Sequence, residues 1–182
     1  LRQQMRDRGN YFQEIEQAAG QALAAAGYSG GPLSQAVISN MMSHFGYTLR
    51  HVRDLPRSVR SITDMRSRSI YLRRESMGMH TPRTIELQTL GHLVLGHEVP
   101  RDFGDFLRQR VEANYFAAAV LVPEQPAVDY LRTAKESRAL SVEDLRDTFG
   151  VSYEMAAHRF TNLATYHLDL TVHFIKTEAS GI

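Results

Sequence analysis

The residues with the clearest potential for chemistry lie in two segments, 87–98 (LQTLGHLVLGHE) and 110–124 (RVEANYFAAAVLVPE). A helix with two histidines four residues apart holds zinc, and a glutamate between them activates the bound water. A third zinc ligand comes from a neighbouring element. The two segments have the spacing of such a site, but of its residues they retain only His92 and Glu112.

The positions that differ decide which reaction the site can support. Gln88 stands where the first zinc histidine belongs, and Thr89 stands where the catalytic glutamate belongs. Glutamine is a poor zinc ligand, and threonine cannot act as a general base at neutral pH. His97 lies five residues after His92, about 140° further round an ideal helix, and is expected to face elsewhere. We therefore expect no catalytic residue and no metal in this chain; a zinc-dependent metallopeptidase with a divergent active site is the alternative.

The two surviving residues need partners if they are buried. A carboxylate on an otherwise apolar helix face is costly without a hydrogen bond. A direct bond between His92 and Glu112 would satisfy both side chains. For His92 alone, the simpler interpretation is a hydrogen-bonded histidine of the core.

Composition limits the class of protein. With 182 residues, 43% of them hydrophobic, the chain is long enough for one globular domain. A net charge of +1 argues against a large nonspecific nucleic-acid surface. The chain has no cysteine, which excludes a disulfide scaffold, a thiol nucleophile and an iron–sulfur site within it. The lack of disulfides suits a reducing cytoplasm, where we expect the protein to be located. No apolar run is long enough for a membrane span, so we expect no membrane partner.

Hydrophobic spacing and breaker residues predict the elements that must position the site. Helices are expected at 10–26, 33–45, 81–97, 102–122, 125–138, 141–149 and 152–164, and strands at 48–52, 61–65, 69–72 and 170–176. The segments at 48–52, 61–65 and 69–72 should form a small antiparallel sheet of two or three strands. The predicted fold class is α+β, mostly helical, with the sheet to one side.

The sheet region is rich in arginine: Arg50, Arg53, Arg57, Arg60, Arg66, Arg68, Arg73 and Arg74. Such a cluster suits phosphate recognition, because guanidinium groups bind phosphate through paired hydrogen bonds. A solvated sheet face with ordinary salt bridges is the alternative for any single arginine.

Residues 145–163 have the form helix, turn at Gly150, helix, and Arg159 lies on the second helix. This arrangement resembles a helix-turn-helix DNA reader. The near-neutral net charge favours a packing role for the pair. His158, Arg159 and Asn162 form a polar cluster on that helix that could cap a pocket.

Two motifs resemble those of the ImmA/IrrE-like metallopeptidases. Residues 112–117 (EANYFA) match the family pattern E-A-N-x-F-A at every position, and residues 90–92 (LGH) match the end of its H-E-L-G-H motif. The resemblance implies a degenerate zincin-like domain, a pseudo-metallopeptidase.

A narrower resemblance is to the short-chain fatty acyl transcriptional regulators of actinobacteria, on the blocks 8–12, 28–34, 60–66, 88–92, 101–110 and 151–163. It implies a sensor of acyl-coenzyme A, of the propionyl-CoA class, that controls propionate or related fatty-acid metabolism. It also implies an N-terminal helix-turn-helix domain that binds promoter DNA and a C-terminal cysteine-bearing domain, the only place for an iron–sulfur cluster. We expect residues 1–182 to be one effector-binding domain, a fragment of such a regulator, and the protein to be a homodimer.

A coenzyme A site should combine arginines for the phosphates, a stacking surface for adenine and an apolar tunnel for the acyl arm. For Tyr115 and Phe116, a place in the core is the favoured alternative. The predicted ligand-binding residues are Arg53, Arg60, Arg66, Arg68, Tyr71, Gln88, His92, Glu112, Tyr115, Phe116 and Arg159.

Overall fold

The computed structural model describes residues 10–56, 58–59, 61–73, 82–172 and 175. Its helices are α1 (Gln13–Ala25), α2 (Gln35–His44), α3 (Pro82–Val94), α4 (Phe103–Leu121), α5 (Glu124–Glu136), α6 (Val142–Phe149) and α7 (Tyr153–Leu168). Its strands are β1 (Thr48–Val52), β2 (Ser61–Asp64) and β3 (Ser69–Arg73). The predicted α+β, mostly helical class is confirmed. None of these helices is both long and apolar enough to cross a membrane.

Short polar side chains fix where four of the helices begin. Each accepts a hydrogen bond from a backbone N–H of the first turn, which would otherwise have no partner. The capping residues are Ser34 at α2, Asp102 at α4, Ser141 at α6 and Ser152 at α7. These caps are visible in the sequence, which is why the predicted starts of these helices agree with the structure to within about two residues.

The sheet is mixed, with the strand order β1-β3-β2. Strands β2 and β3 form an antiparallel hairpin, whereas β1 and β3 are parallel. The expected antiparallel sheet is therefore wrong for β1. The reason is the order of the strands: β3, which comes last along the chain, lies between β1 and β2 and pairs with both.

The two faces of the sheet have different environments. Ile70 and Leu72 of β3 are buried, and the residues paired with Leu72 contact α3: His51 lies 3.3 Å from Glu86, and Ser61 lies 3.2 Å from Thr89. Because side chains alternate along a strand, the neighbouring row belongs to the opposite, outer face. That row is Arg50, Tyr71 and Ile62.

The strand predicted at 170–176 is not present in the described residues of that segment. Leu170, Thr171, Val172 and Ile175 have no strand assignment. His173, Phe174 and Lys176 lie outside the described residues.

Candidate functional site

Helices α3 and α4 carry the degenerate motif and approach each other closely at Gly91. A Cβ added there would lie 3.0 Å from Phe116 Cδ1 and 3.3 Å from the Cα of Ala113. The missing side chain therefore permits the close approach. It brings the Gln88 and His92 side of α3 against the segment of α4 that carries Glu112 and Asn114.

The two altered positions are bonded within the protein. Gln88 Nε2 donates to Asn114 Oδ1 at 2.8 Å. Thr89 Oγ1 donates to the carbonyl of Ile85, one turn earlier, at 2.9 Å, and lies 3.2 Å from the hydroxyl of Ser61 on β2. The position of the general base is thus held by a hydroxyl that is tied to its own helix.

His92 and Glu112 are connected, but through a third residue. His92 Nδ1 lies 2.9 Å from His97 Nδ1, and His97 Nε2 lies 2.9 Å from Glu112 Oε2. The expected direct bond between His92 and Glu112 is therefore replaced by a bridge. The expectation that His97 faces elsewhere was wrong.

The reason is the end of α3. Gly96 has φ of +64°, the N–H of Gly96 donates to the carbonyl of Leu93, and that of His97 donates to the carbonyl of His92. This is the Schellman arrangement, which reverses the chain and places the third residue after the helix, His97, over the last turn. The extrapolation along an ideal helix failed because the helix ends at Val94. The sequence signal that identifies the turn is the glycine at position 96.

The cluster continues along the exposed side of α4. Arg108 donates to Glu112 Oε2 at 2.7 Å and to Asp105 Oδ1 at 2.6 Å. The Arg108 guanidinium holds the pKa of the Asp105 carboxyl below its usual value. We call His92, His97, Glu112, Arg108 and Asp105 the cleft network.

The cleft network does not fit a zinc ion. Both ring nitrogens of His97 already have partners, and Glu112 is shared with Arg108. Within the described ranges, no three His, Asp or Glu side chains are arranged to hold a metal. Burial, and then the neighbouring His97, lower the pKa of His92, which favours the neutral imidazole.

A cleft of about 390 Å³ opens beside this network, at the connection from α3 to α4. His92, His97 and Gln109 contribute polar groups to its lining, and Val99, Pro100 and Phe106 contribute apolar ones. Glu98 and Arg110 complete the lining and are exposed. Of these residues, the sequence had singled out only His92 as part of a ligand site.

Three arginines predicted to bind the ligand, Arg53, Arg66 and Arg68, do not line this cleft. Arg53, Arg66 and Arg68 are exposed, Tyr71 is half-buried on the outer face of the sheet, and Arg60 lies outside the described residues. The outer face points away from α3, whose other side carries Gln88 and His92. Of the predicted ligand residues, Tyr71 therefore lies on a different face of the structure from Gln88 and His92.

Three further predicted residues belong to the core. Arg159 is fully buried; it donates to Glu16 Oε1 at 2.6 Å and to the carbonyl of Val122 at 2.9 Å. The Tyr115 hydroxyl donates to the same Glu16 oxygen at 2.6 Å, and burial raises the pKa of Tyr115. Phe116 is fully buried. We call Glu16, Tyr115 and Arg159 the core cluster.

Helices α6 and α7 pack into the same core. Leu145, Phe149, Ala156 and Leu163 are buried, and Gly150 forms the left-handed turn between the helices. Arg159, which a DNA reader would expose to phosphate or bases, points inward. This geometry is that of a packing pair.

Comparison with known proteins agrees with the fold and the degenerate motif. Residues 62–161, more than half of the chain, match the family described as the IrrE N-terminal-like domain. The chain therefore belongs to this family.

Two relatives are more specific. A 51-residue stretch, 28% of the chain, is 47% identical to a propionyl-CoA carboxylase regulator of Cereibacter sphaeroides and covers 10% of that protein. The fold is similar to that of a Mycobacterium tuberculosis transcriptional regulator, with a TM-score of 0.65 and 20% identity over 86% of this chain and 49% of that one. The chain thus spans about a tenth of the first protein and about half of the second.

Proposed function

We propose that this chain is the effector-sensing domain of a transcriptional regulator and that it binds short-chain acyl-CoA of the propionyl-CoA class without acting as a peptidase. The observation that carries the proposal is the internal bonding of the degenerate motif. Gln88 and Thr89 replace a zinc ligand and the general base, and both are bonded to neighbouring groups. Hydrolysis by this family's chemistry needs both a metal and a base.

The regulatory part of the proposal draws on the relatives. One is named as a regulator of propionyl-CoA carboxylase and the other as a transcriptional regulator. Control of propionate metabolism, a homodimer, a cytoplasmic location and contact with promoter DNA through another domain are parts of the same proposal. Because the chain has no cysteine, any iron–sulfur cluster of such a regulator would be held by residues outside these 182.

The mechanism we infer is a population shift. A ligand changes an equilibrium only through its different affinity for two conformations. The cleft network joins the end of α3 to the first half of α4, so a ligand that displaces one of its members changes how those helices meet. Attached DNA-binding domains would respond to that difference.

A melting experiment tests the proposal. Propionyl-CoA at about one hundred times its dissociation constant should stabilise the chain by about 2.7 kcal/mol. Zinc and a chelator, added separately, should leave the melting temperature unchanged. The sensing proposal is wrong if no acyl-CoA shifts the melting temperature, and the metallopeptidase alternative gains support if chelation lowers it.

A variant tests the placement of the degenerate motif. The change Gln88→His with Thr89→Glu restores the residues of a zinc site and should confer zinc binding, measured by equilibrium dialysis. Adding His92→Ala to that variant should abolish the binding and serves as its control. Zinc binding that is absent from the double variant, or that survives loss of His92, contradicts the placement.

A further inference from the structure

The cleft between α3 and α4 has apolar walls that are open to solvent. Val99 is 88% exposed and Phe106 is 45% exposed, and both line the cleft with Pro100. The Phe106 ring stacks on Phe103, with 6.1 Å between ring centroids. Exposed apolar side chains gathered at a concave site are typical of a binding surface, because covering them removes apolar area from water.

We propose that this cleft receives the acyl end of a short-chain acyl thioester. The inference rests on the proposed function and adds the place where the acyl group lies. The volume of about 390 Å³ is at the lower end of the range for ligand pockets. That volume suits an acyl group of a few carbons with part of the pantetheine arm, and leaves the rest of coenzyme A outside.

The two histidines that line the cleft should limit the length of the acyl chain that it accepts. His92 and His97, bonded at 2.9 Å, lie at the cleft and are joined to Glu112 on α4. A longer acyl chain would have to separate these bonded groups and leave polar atoms without partners. Affinity should therefore rise with each added methylene and then stop rising once the chain reaches the histidines.

One polar group at the cleft matches a thioester. Gln109 is buried, and its Nε2 donates to Asp105 Oδ2 at 3.3 Å. The amide carries a second hydrogen, for which the described part of the chain provides no further acceptor. A thioester carbonyl accepts hydrogen bonds and donates none, so this hydrogen is a suitable partner for it.

The charge around the opening is mixed. Arg110 lines the cleft and Arg101 follows Pro100; both are exposed. Glu98 is the opposing charge. Arg101 is paired with Asp105 at 3.8 Å, so Arg110 is the lining arginine that could meet a phosphate, and its contribution weakens as salt is added.

The test is a chain-length series on the whole 182-residue chain, measured by calorimetry with coenzyme A and its acetyl, propionyl, butyryl and octanoyl thioesters. For the wild type, each buried methylene should raise affinity about fourfold, and the octanoyl thioester should bind no better than the butyryl one. Phe106→Ala should remove most of the gain from the acyl group and leave the affinity for coenzyme A itself unchanged. Tyr153→Ala, which removes an exposed aromatic side chain that does not line the cleft, is the matched control.

Each outcome bears on one proposal. If the wild type binds acyl-CoA and Phe106→Ala retains the wild-type increments, the acyl group lies elsewhere and only this inference fails. A second variant, Val99→Trp, fills the cleft and should weaken propionyl-CoA binding at least tenfold; unchanged binding also overturns the inference. If the wild type binds no acyl-CoA, both this inference and the proposed function fail.

Discussion

The core cluster and the cleft network are both built from charged and hydrogen-bonding side chains, but they differ in access. Arg159 of the core cluster is fully buried between α1, α4 and α7, and its partners are all protein groups. The cleft network begins at the half-buried His92 and ends at Arg108, whose side chain is 45% exposed. One cluster is closed to any ligand, and the other can be reached and altered by one.

The difference shows that Arg159, although it lies in a segment that resembles a ligand-binding family, is not thereby part of a ligand site. The Arg159 guanidinium is matched by a carboxylate and a carbonyl, which gives it a structural role. Breaking a buried ion pair of this kind costs much folding free energy, because the charge that remains is neither paired nor solvated. We expect the ion pairs of the cleft network to contribute less, because the side chains of Arg108 and Glu112 are partly exposed.

The largest expected effect is in the core cluster. Arg159→Met leaves the Glu16 carboxylate buried without its cation and should lower the free energy of unfolding by roughly 3–5 kcal/mol, measured by urea denaturation. Glu16→Leu combined with Arg159→Met removes both charges and should recover most of that loss. A double variant as unstable as the single one would mean that the pair contributes through packing alone.

The second largest effect is expected at the contact between α3 and α4. Gly91→Ala places a Cβ 3.0 Å from Phe116 and 3.3 Å from the backbone of Ala113, and should destabilise the chain by about 1–3 kcal/mol. Gly20→Ala on α1 is the matched control, because nothing lies within 4 Å of its added Cβ; there we expect a gain of about 0.5–1 kcal/mol. Equal effects of the two changes on the melting temperature would contradict the close approach of α3 and α4.

Removal of the bridge in the cleft network should have a smaller effect. His97→Ala breaks the bonds to His92 and Glu112 and should cost about 1–2 kcal/mol, given about 1 kcal/mol for each bond. His44→Ala, at the exposed end of α2, is the control and should be nearly neutral. A cost as large as that of Arg159→Met would show that the cleft network is a second closed core and not a site that a ligand can rearrange.

The smallest effect is the pH dependence of stability. Burial and His97 lower the pKa of His92 from its usual 6.5, so the unfolded chain takes up a proton before the folded chain does. The stability from the neutral imidazole is therefore complete above pH 6.5 and decreases as the pH falls through the lowered pKa. Urea titrations between about pH 7.5 and about pH 5.5 should show this decrease, and His92→Gln should reduce it. An unchanged slope in the variant would exclude His92 as its source.

The features that could be predicted from the sequence are those that depend on residues close together in the chain. The helices follow from apolar spacing and from caps such as Ser34 and Ser152, which act within one turn. The motif at 112–117 located α4 and its glutamate. These features depend on neighbours in the chain, so a single sequence reveals them.

Longer-range features could not be predicted in the same way. The parallel pairing of β1 with β3 depends on which strand enters the sheet last. The buried partner of Arg159 is Glu16, which lies 143 residues away, and no spacing rule connects them. The position of His97 was predictable in principle, because Gly96 marks the turn, but an ideal helix was assumed past its true end.

The most direct measurement of the central claim is a calorimetric titration of the chain with propionyl-CoA in the presence of a chelator. The account predicts saturable binding that is unaffected by removal of metal and stronger than the binding of coenzyme A alone. Absence of binding, or binding that requires added zinc, would contradict the account.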